Sequence, residues 1–144
     1  MTVKVAIGSD HGGFSLKEEI KKLVVRLGHE VVDVGCVSYE SVDYPLFAED
    51  VCQKVMVGEV DTGILICGTG LGMSMAANKH ERIRAALCHD HYTAVMSREH
   101  NDANVLCMGE RVLGIGVAED IVTTWLTTSF AGGRHQQRIQ MFSR

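Results

Sequence analysis

The stretch that decides the fold lies at residues 63–79 and reads Gly63-Ile64-Leu65-Ile66-Cys67-Gly68-Thr69-Gly70-Leu71-Gly72-Met73-Ser74-Met75-Ala76-Ala77-Asn78-Lys79. An apolar run ends at a cysteine, a turn with glycine at every second position follows, and helix-forming residues come next. This pattern predicts a strand, a tight loop and a helix. Such a junction directs backbone N–H groups outward and favours a negatively charged ligand. A helix N-terminus also favours a thiolate, so Cys67 is a candidate reactive group, although cysteine is often simply buried.

The composition is that of one globular domain spanning residues 1–144. Of the 144 residues, 46% are hydrophobic and 6% are aromatic, which is enough to build a core. No stretch approaches the roughly 18 apolar residues that a membrane span needs, and the first residues lead into a strand instead of a signal peptide. We therefore expect a cytoplasmic protein without a membrane association.

Charge and cysteine content restrict the possible partners. The net charge is −4, which gives no electrostatic support for nucleic-acid binding, so an anion has to be bound by a local cluster. The five cysteines contain no Cys-x-x-Cys pair. We therefore expect reduced thiols and no zinc or other metal site.

Around this stretch, β-branched runs alternate with helical patterns along the whole chain. Strands are predicted at residues 3–8, 30–35, 63–67, 84–88 and 104–109, with helices between them, a helix over 114–128 and an extra C-terminal helix. The alternation predicts an α/β fold, a doubly wound three-layer αβα sandwich around a five-stranded parallel sheet. The commonest strand order for such a sheet is 2-1-3-4-5.

This order makes strands one and three neighbours and brings their following loops to one crevice. The first loop contains Asp10 and His11, and the second contains Cys67. Doubly wound folds bind ligands at this switch point. Asp10 could also be a helix cap, and Asp43, before Tyr44-Pro45, could either cap a helix or reach the crevice. His100 stands at a helix end, where a histidine serves as a favourable C-terminal charge, and the residues alone give it no further role.

Two arginines near the C-terminus are candidates for binding an anion. Arg134 and Arg138 stand at i and i+4, on one helix face, directly after Gly132-Gly133. Converging guanidinium groups bind phosphate or carboxylate well, although paired arginines can also form an ordinary solvated face. Arg111, after strand five, lies at the carboxyl end of the sheet and could join them.

Together these residues favour a small-molecule enzyme with an anionic substrate. A thiolate beside N–H donors could remove a proton next to a carbonyl, or it could attack as a nucleophile, and the residues alone do not separate the two. A dinucleotide site is disfavoured because the loop lacks the third glycine of G-x-G-x-x-G, and no Gly-Lys-Ser/Thr follows it as in a P-loop. A non-catalytic flavodoxin-like module that binds a phosphate ligand is the remaining alternative.

Six segments in this order resemble the type B ribose-5-phosphate isomerases, whose wider family acts also on galactose 6-phosphate and allose 6-phosphate. The segments are Ser9-Asp10-His11-Gly12-Gly13-Phe14, Asp43-Tyr44-Pro45, residues 63–70, Ala76-Ala77-Asn78-Lys79, residues 97–106 and Gly132-Gly133-Arg134-His135-Gln136-Gln137-Arg138. The resemblance implies a metal-free and cofactor-free aldose–ketose isomerase that interconverts ribose 5-phosphate and ribulose 5-phosphate through a cis-enediolate.

The resemblance also implies a role for each site residue. Catalytic roles fall on Cys67 as the base, on Thr69 in proton transfer between the oxygens and on His100 in opening the sugar ring. The substrate-binding positions are Asp10, His11, Asp43, Gly68, Gly70, Gly72, Ser74 and Asn101, and the phosphate ligands are Arg111, Arg134 and Arg138.

The resemblance further implies a homodimer that in some members of the family pairs into a tetramer. The active site of the family is shared between subunits, with His100 and Asn101 supplied by the partner. The expected partners are therefore a sugar phosphate and a second copy of the chain.

Overall fold

In the computed structural model, which describes residues 1–143, five short runs form one parallel sheet. The strands are β1 (Lys4–Ser9), β2 (Glu30–Gly35), β3 (Thr62–Cys67), β4 (Ala85–Leu87) and β5 (Val105–Gly109). A 3₁₀ turn at His11–Gly13 precedes the first of the helices, which are α1 (Phe14–Arg26), α2 (Tyr44–Met56), α3 (Leu71–Ala77), α4 (His91–Glu99), α5 (Ile115–Thr127) and α6 (Arg134–Gln140). The predicted doubly wound parallel sheet with an extra C-terminal helix is confirmed.

The predicted strand order 2-1-3-4-5 is wrong in its last two positions. The sheet runs β2-β1-β3-β5-β4, so β5 lies between β3 and β4. All five residues of β5 are buried, whereas β4 has three residues that are each partly exposed. An interior strand has to be apolar on both faces, and a short strand is better tolerated at an edge.

This order decides which face each helix covers. With right-handed crossovers, α2 and α3 pack on one face of the sheet, and α1, α4 and α5 pack on the other. Neighbouring residues of β3 point to opposite faces, so Ile64 and Ile66 belong to the α1–α4–α5 core and Leu65 and Cys67 to the α2–α3 core. Cys67 therefore ends the central strand on the α2–α3 side.

The outer edge of β4 is partly covered by a side-chain amide. Asn78, just after α3, accepts a hydrogen bond from the Ala85 N–H at Oδ1 (2.9 Å) and donates from Nδ2 to the Ala85 carbonyl (3.0 Å). The same Nδ2 donates to the Ser74 carbonyl (3.0 Å). The Asn78 amide thus binds the N–H and the carbonyl of Ala85 in the way a neighbouring strand would.

The three central strands bring their carboxyl ends together. Ser9 of β1 is in register with Ile66 of β3, and Cys67 is in register with Gly109 of β5. The loops after β1, β3 and β5 therefore meet at one edge of the sheet. No helix within residues 1–143 has the length and apolar character needed to cross a membrane.

Candidate active site

The sulfur of Cys67 receives a backbone hydrogen bond from its own loop. Cys67 is 5% exposed, and its Sγ accepts a hydrogen bond from the Gly70 N–H at 3.1 Å. Gly70 has φ +81°, and a Cβ there would lie 2.5 Å from Leu87 Cδ1 and 2.9 Å from the carbonyl carbon of Met108. Glycine is thus required both by the backbone conformation and by the close approach of its neighbours. The turn directs a donor at the atom that would carry negative charge as a thiolate.

The residues after Cys67 differ in how they use their polar groups. Thr69 is exposed, and its Oγ1 accepts from the Leu71 N–H at 3.2 Å. Ser74 donates its N–H to the Gly70 carbonyl (3.0 Å) and its hydroxyl to the Leu71 carbonyl (2.9 Å). Both donors of Ser74 are therefore used inside α3, and its place among the substrate-binding residues stays a prediction.

Asp10 and His11 are held by short-range backbone hydrogen bonds. The buried Asp10 carboxylate accepts at Oδ1 from the N–H groups of Gly12 (2.9 Å) and Gly13 (3.1 Å), so Asp10 does cap the 3₁₀ turn. His11 Nδ1 accepts from the Val42 N–H at 3.2 Å. Because Nδ1 is the acceptor, a neutral His11 ring carries its proton on Nε2.

Arg111 joins the two loops. Its N–H donates to the Gly68 carbonyl at 3.0 Å. A Cβ on Gly68 would lie 3.2 Å from Arg111 Nη1, and a Cβ on Gly12 would lie 3.6 Å from Nη2 and 3.3 Å from the Gly68 nitrogen. The guanidinium group therefore lies over both glycines, and the Asp10 and Cys67 loops lie side by side, as the predicted crevice requires. The crevice carries a positive charge suited to an anion.

Asp43 lies between two residues that touch these loops. It precedes α2 without a side-chain capping hydrogen bond within residues 1–143, so the capping alternative is not observed. On one side, Val42 donates to His11. On the other, the Tyr44 ring packs on Gly72, where a Cβ would lie 2.6 Å from Tyr44 Cζ. The sequence analysis gave Tyr44 no role, because its position before Pro45 only marks a helix start.

A second cluster forms around His100. His100 follows α4, and its ring stacks on His135 with centroids 4.1 Å apart and planes at 15°. The Ala131 N–H donates to the Glu99 carbonyl at 3.0 Å, which fixes the start of α6 beside the end of α4. Partial desolvation, with the positive charges of His100, Arg134 and Arg138, lowers the pKa of His135.

His135 belongs to this cluster, and the sequence analysis gave it no role. The signal was present, because His135 adjoins Arg134 and stands three residues before Arg138, on the same short helix. What the sequence did not reveal is the stacking partner, His100, which is 35 residues away along the chain. The cluster of His100, His135 and the two arginines is called the His100 cluster below.

The two groups of residues lie at opposite edges of the sheet within one chain. The end of α4, with His100 and the exposed Asn101, leads into the start of β5, whereas Arg111 follows the end of β5. Five residues of β-strand span about 16 Å. The expectation that Arg111 joins Arg134 and Arg138 is therefore not met within a single chain.

Three of the other cysteines, Cys52, Cys88 and Cys107, are buried packing residues. Burial raises the pKa of Cys52 to about 12 and also raises the pKa values of Cys88 and Cys107. All five cysteines are free thiols. Within residues 1–143, no three His, Cys, Asp or Glu side chains come together in a way that could hold a metal ion.

Comparisons with known proteins give the family. The sequence pattern of the family described as Ribose/Galactose Isomerase matches residues 5–142. Ribose-5-phosphate isomerase B of Escherichia coli K12 is 53% identical over 137 residues, covering 95% of this chain and 92% of that protein.

Solved structures agree in fold over nearly the whole chain. Ribose-5-phosphate isomerase B of Clostridium thermocellum has a TM-score of 0.95 and 56% identity, covering 96% of this chain and 93% of that one. The type B ribose 5-phosphate isomerase of Trypanosoma brucei has a TM-score of 0.96 and 54% identity, covering 99% and 97%. The chain belongs to the Ribose/Galactose Isomerase family.

Proposed function

We propose that residues 1–144 form one isomerase domain that interconverts D-ribose 5-phosphate and D-ribulose 5-phosphate by proton transfer. The observation that carries the proposal is the Cys67 sulfur in a crevice with a backbone N–H at 3.1 Å and the Arg111 guanidinium over the adjoining glycines. A base, hydrogen-bond donors and a phosphate-binding cation are what this reaction needs. Relatives that share more than half of the sequence carry the name of this activity.

In the proposed reaction, the Cys67 thiolate removes the proton from C2 of the open-chain aldose. The C–H electron pair forms the C1–C2 double bond, and the carbonyl electrons move to O1, which gives a cis-enediolate. The N–H groups of Gly68 and Gly72, with Gly70 at the turn, stabilise this anion. Thr69, whose hydroxyl is exposed, passes the O2 proton to O1. The Cys67 thiol then returns its proton to C1 as C2 becomes the carbonyl.

The remaining groups bind the sugar. Asp10 and His11 line the crevice beside Gly12 and Gly68, and Asp43 enters from the segment between Val42 and Tyr44, to meet the sugar hydroxyls. His100, with Asn101 beside it, opens the furanose ring by moving the proton between the ring oxygen and the anomeric hydroxyl.

We further propose that the active site is shared between two subunits of a homodimer. The crevice holds Cys67 and Arg111, the His100 cluster holds the proposed ring-opening group and two further arginines, and the two lie about 16 Å apart at opposite sheet edges. A two-fold axis that sets one crevice against the partner's His100 cluster completes two sites at once. The phosphate is then bound by Arg111 from one subunit and by Arg134 and Arg138 from the other.

The cellular setting follows from the substrate and the thiols. Five reduced cysteines support a reducing compartment, and we propose the cytoplasm. The reaction class belongs to the non-oxidative pentose phosphate pathway, where aldose and ketose pentose phosphates are interconverted.

The function is tested by proton NMR of ribose 5-phosphate with the enzyme in D₂O containing EDTA. We expect ribulose 5-phosphate to appear with deuterium at C1, because the base exchanges its proton with solvent. Failure of the enzyme to turn over ribose 5-phosphate would contradict the proposal. Turnover of only allose 6-phosphate or galactose 6-phosphate would select the six-carbon alternative, and binding without any turnover would select a phosphate-binding module.

The proposed preference of the enzyme for a five-carbon over a six-carbon sugar phosphate is a matter of degree. The six-carbon substrates undergo the same chemistry and differ by one hydroxymethylene group, which is worth about 1–3 kcal/mol of discrimination. We therefore expect weak activity on allose 6-phosphate beside the main activity, measured as the ratio of the two kcat/KM values.

Changing Arg138 to alanine is expected to raise KM for ribose 5-phosphate by about 10- to 100-fold, the effect of losing one charged hydrogen bond. The kcat value should change much less, because the phosphate is bound equally in the ground and transition states. Steady-state kinetics checks this, with Arg26→Ala as the control, since Arg26 is an exposed arginine on α1 paired with Glu119. An unchanged KM would indicate that Arg138 belongs to an ordinary solvated surface and does not bind the phosphate.

A further inference from the structure

Lys17 is a residue of α1 whose charged side chain is completely buried. Its side chain is 0% exposed, and its Nζ donates to Asp33 Oδ1 (2.9 Å), Asp33 Oδ2 (2.8 Å) and Glu18 Oε1 (3.0 Å). Removing an ammonium group from water costs several kcal/mol before its partners are counted. A lysine in this position therefore calls for a reason beyond the stability of α1.

The buried ammonium is linked to the segment at residues 36–43, here called the β2–α2 loop, at Gly35 directly before it and at Tyr39 within it. Asp33 also accepts at Oδ1 from the Gly35 N–H (2.9 Å), the last residue before the loop. Lys17 Nζ lies 5.3 Å from the centroid of the Phe14 ring, and that ring meets Tyr39 of the loop edge-on at 4.9 Å and 87°. The two links hold the beginning and the middle of the loop.

The far end of the same loop reaches the crevice. Its first residue, Cys36, donates its N–H to the Ser9 carbonyl at 2.9 Å. Near its end, the Val42 N–H bonds His11 Nδ1 at 3.2 Å, and Asp43 follows directly. A displacement of the loop would therefore move the group that orients the His11 ring and would move the Asp43 carboxylate with it.

We propose that Lys17 is a positioning residue for the crevice: through Asp33 and Phe14 it holds the β2–α2 loop so that Val42 orients His11 and Asp43 faces the substrate. Lys17 lies under the loop, in contact with protein groups, so it acts through other residues and takes no part in the proton transfer itself. The kinetic consequence rests on the proposed isomerase function, whereas the positioning of Val42 and His11 does not.

Lys21 provides a matched control. Its Nζ bonds the same two carboxylates, Asp33 at 2.7 Å and Glu18 at 3.1 Å, but its side chain is 27% exposed. Among residues 1–143, the cation in contact with the Phe14 ring is Lys17. In Lys17→Met the carboxylate of Asp33 keeps Lys21 as a partner, so no buried charge is left unpaired. A purely electrostatic role would make the two lysines equivalent.

The experiment compares Lys17→Met and Lys21→Met with the unchanged chain by amide NMR without substrate and by steady-state kinetics. In Lys17→Met we expect an upfield shift of the Val42 amide proton and about 10-fold faster hydrogen exchange there, because its hydrogen bond to His11 loosens. We expect KM for ribose 5-phosphate to rise about 10-fold with kcat within about threefold. Lys21→Met should match the unchanged chain in both measurements.

Equal effects in the two variants, or a Val42 amide that is unaffected in Lys17→Met, would overturn the positioning role. A shifted Val42 amide together with no turnover of ribose 5-phosphate by the unchanged chain would support positioning while refuting the proposed function. Should Lys17→Met fail to fold, Tyr39→Ala carries the test, because Tyr39 is 69% exposed and its loss removes only the link through Phe14. In that variant, an unaffected Val42 amide overturns the proposal.

Discussion

Replacement of Cys67 by alanine is expected to lower kcat for ribose 5-phosphate by about 10²- to 10⁴-fold, the usual contribution of a positioned general base. The change removes the one side chain in the crevice that both ends β3 and receives the Gly70 N–H. Binding of D-ribitol 5-phosphate, which has no carbonyl, should be nearly unchanged because Arg111 and the loop backbone remain. Titration calorimetry with that compound and the NMR assay in D₂O measure the two effects separately.

The control for this experiment is Cys52→Ala. Cys52 is also a fully buried cysteine of the α2–α3 core, but its Sγ faces the Ala77 carbonyl at 4.0 Å instead of the crevice. Its thiol stays protonated at neutral pH, since burial raises its pKa to about 12. Full activity is therefore expected for Cys52→Ala. Sustained turnover by Cys67→Ala would show that another residue is the base and that Cys67 only packs in the core.

Mixing two inactive variants is expected to restore about a quarter of the unaltered activity if the site is shared across a two-fold dimer. The variants are Cys67→Ala, which damages the crevice, and His100→Ala, which damages the opposite cluster. In a mixed dimer one site carries both changes and the other carries neither. Random pairing makes about half of the dimers mixed, and each mixed dimer has one intact site of two. Activity after co-refolding or co-expression measures the recovery.

A second pair of variants makes this result specific. Cys67→Ala and Arg111→Ala both damage the crevice, because Arg111 lies over Gly68 in the same chain. A mixed dimer of these two has one change in each site, so no recovery is expected. Equal recovery from both pairs, or from neither, would contradict a site shared in the proposed way.

The sheet could be predicted from the sequence because its signals are local. Apolar runs followed by polar loops mark each strand, and the glycines after Cys67 mark the junction with α3. The order of β4 and β5 could not be read in this way, because both orders satisfy the crossover rule. The order of the two strands is decided by the burial of β5 on both faces. The three-residue length of β4 is only a weak indication that β4 lies at the edge.

The juxtaposition of the candidate residues could be predicted best where they stand at or near the end of a strand. Cys67 ends a central strand and Asp10 and Arg111 each come just after one, and parallel strands bring those ends together. A pattern of residue types does not show that both donors of a helical serine are used within the helix, as they are for Ser74. The His100 cluster could not be located, because it is formed by the stacking of His100 on His135, and these residues are 35 positions apart along the chain.

The amide of Asn78 has a consequence for how this protein behaves at high concentration. An open strand edge is a template on which another chain can add a strand, which is a route to aggregation. Residues alternate along β4, so Ala85 and Leu87 direct their peptide groups outward while Ala86 faces β5. Asn78 binds both groups of Ala85 and leaves at most one further residue for an incoming strand. The Asn78 side chain thus protects this strand edge against uncontrolled self-association of the chain.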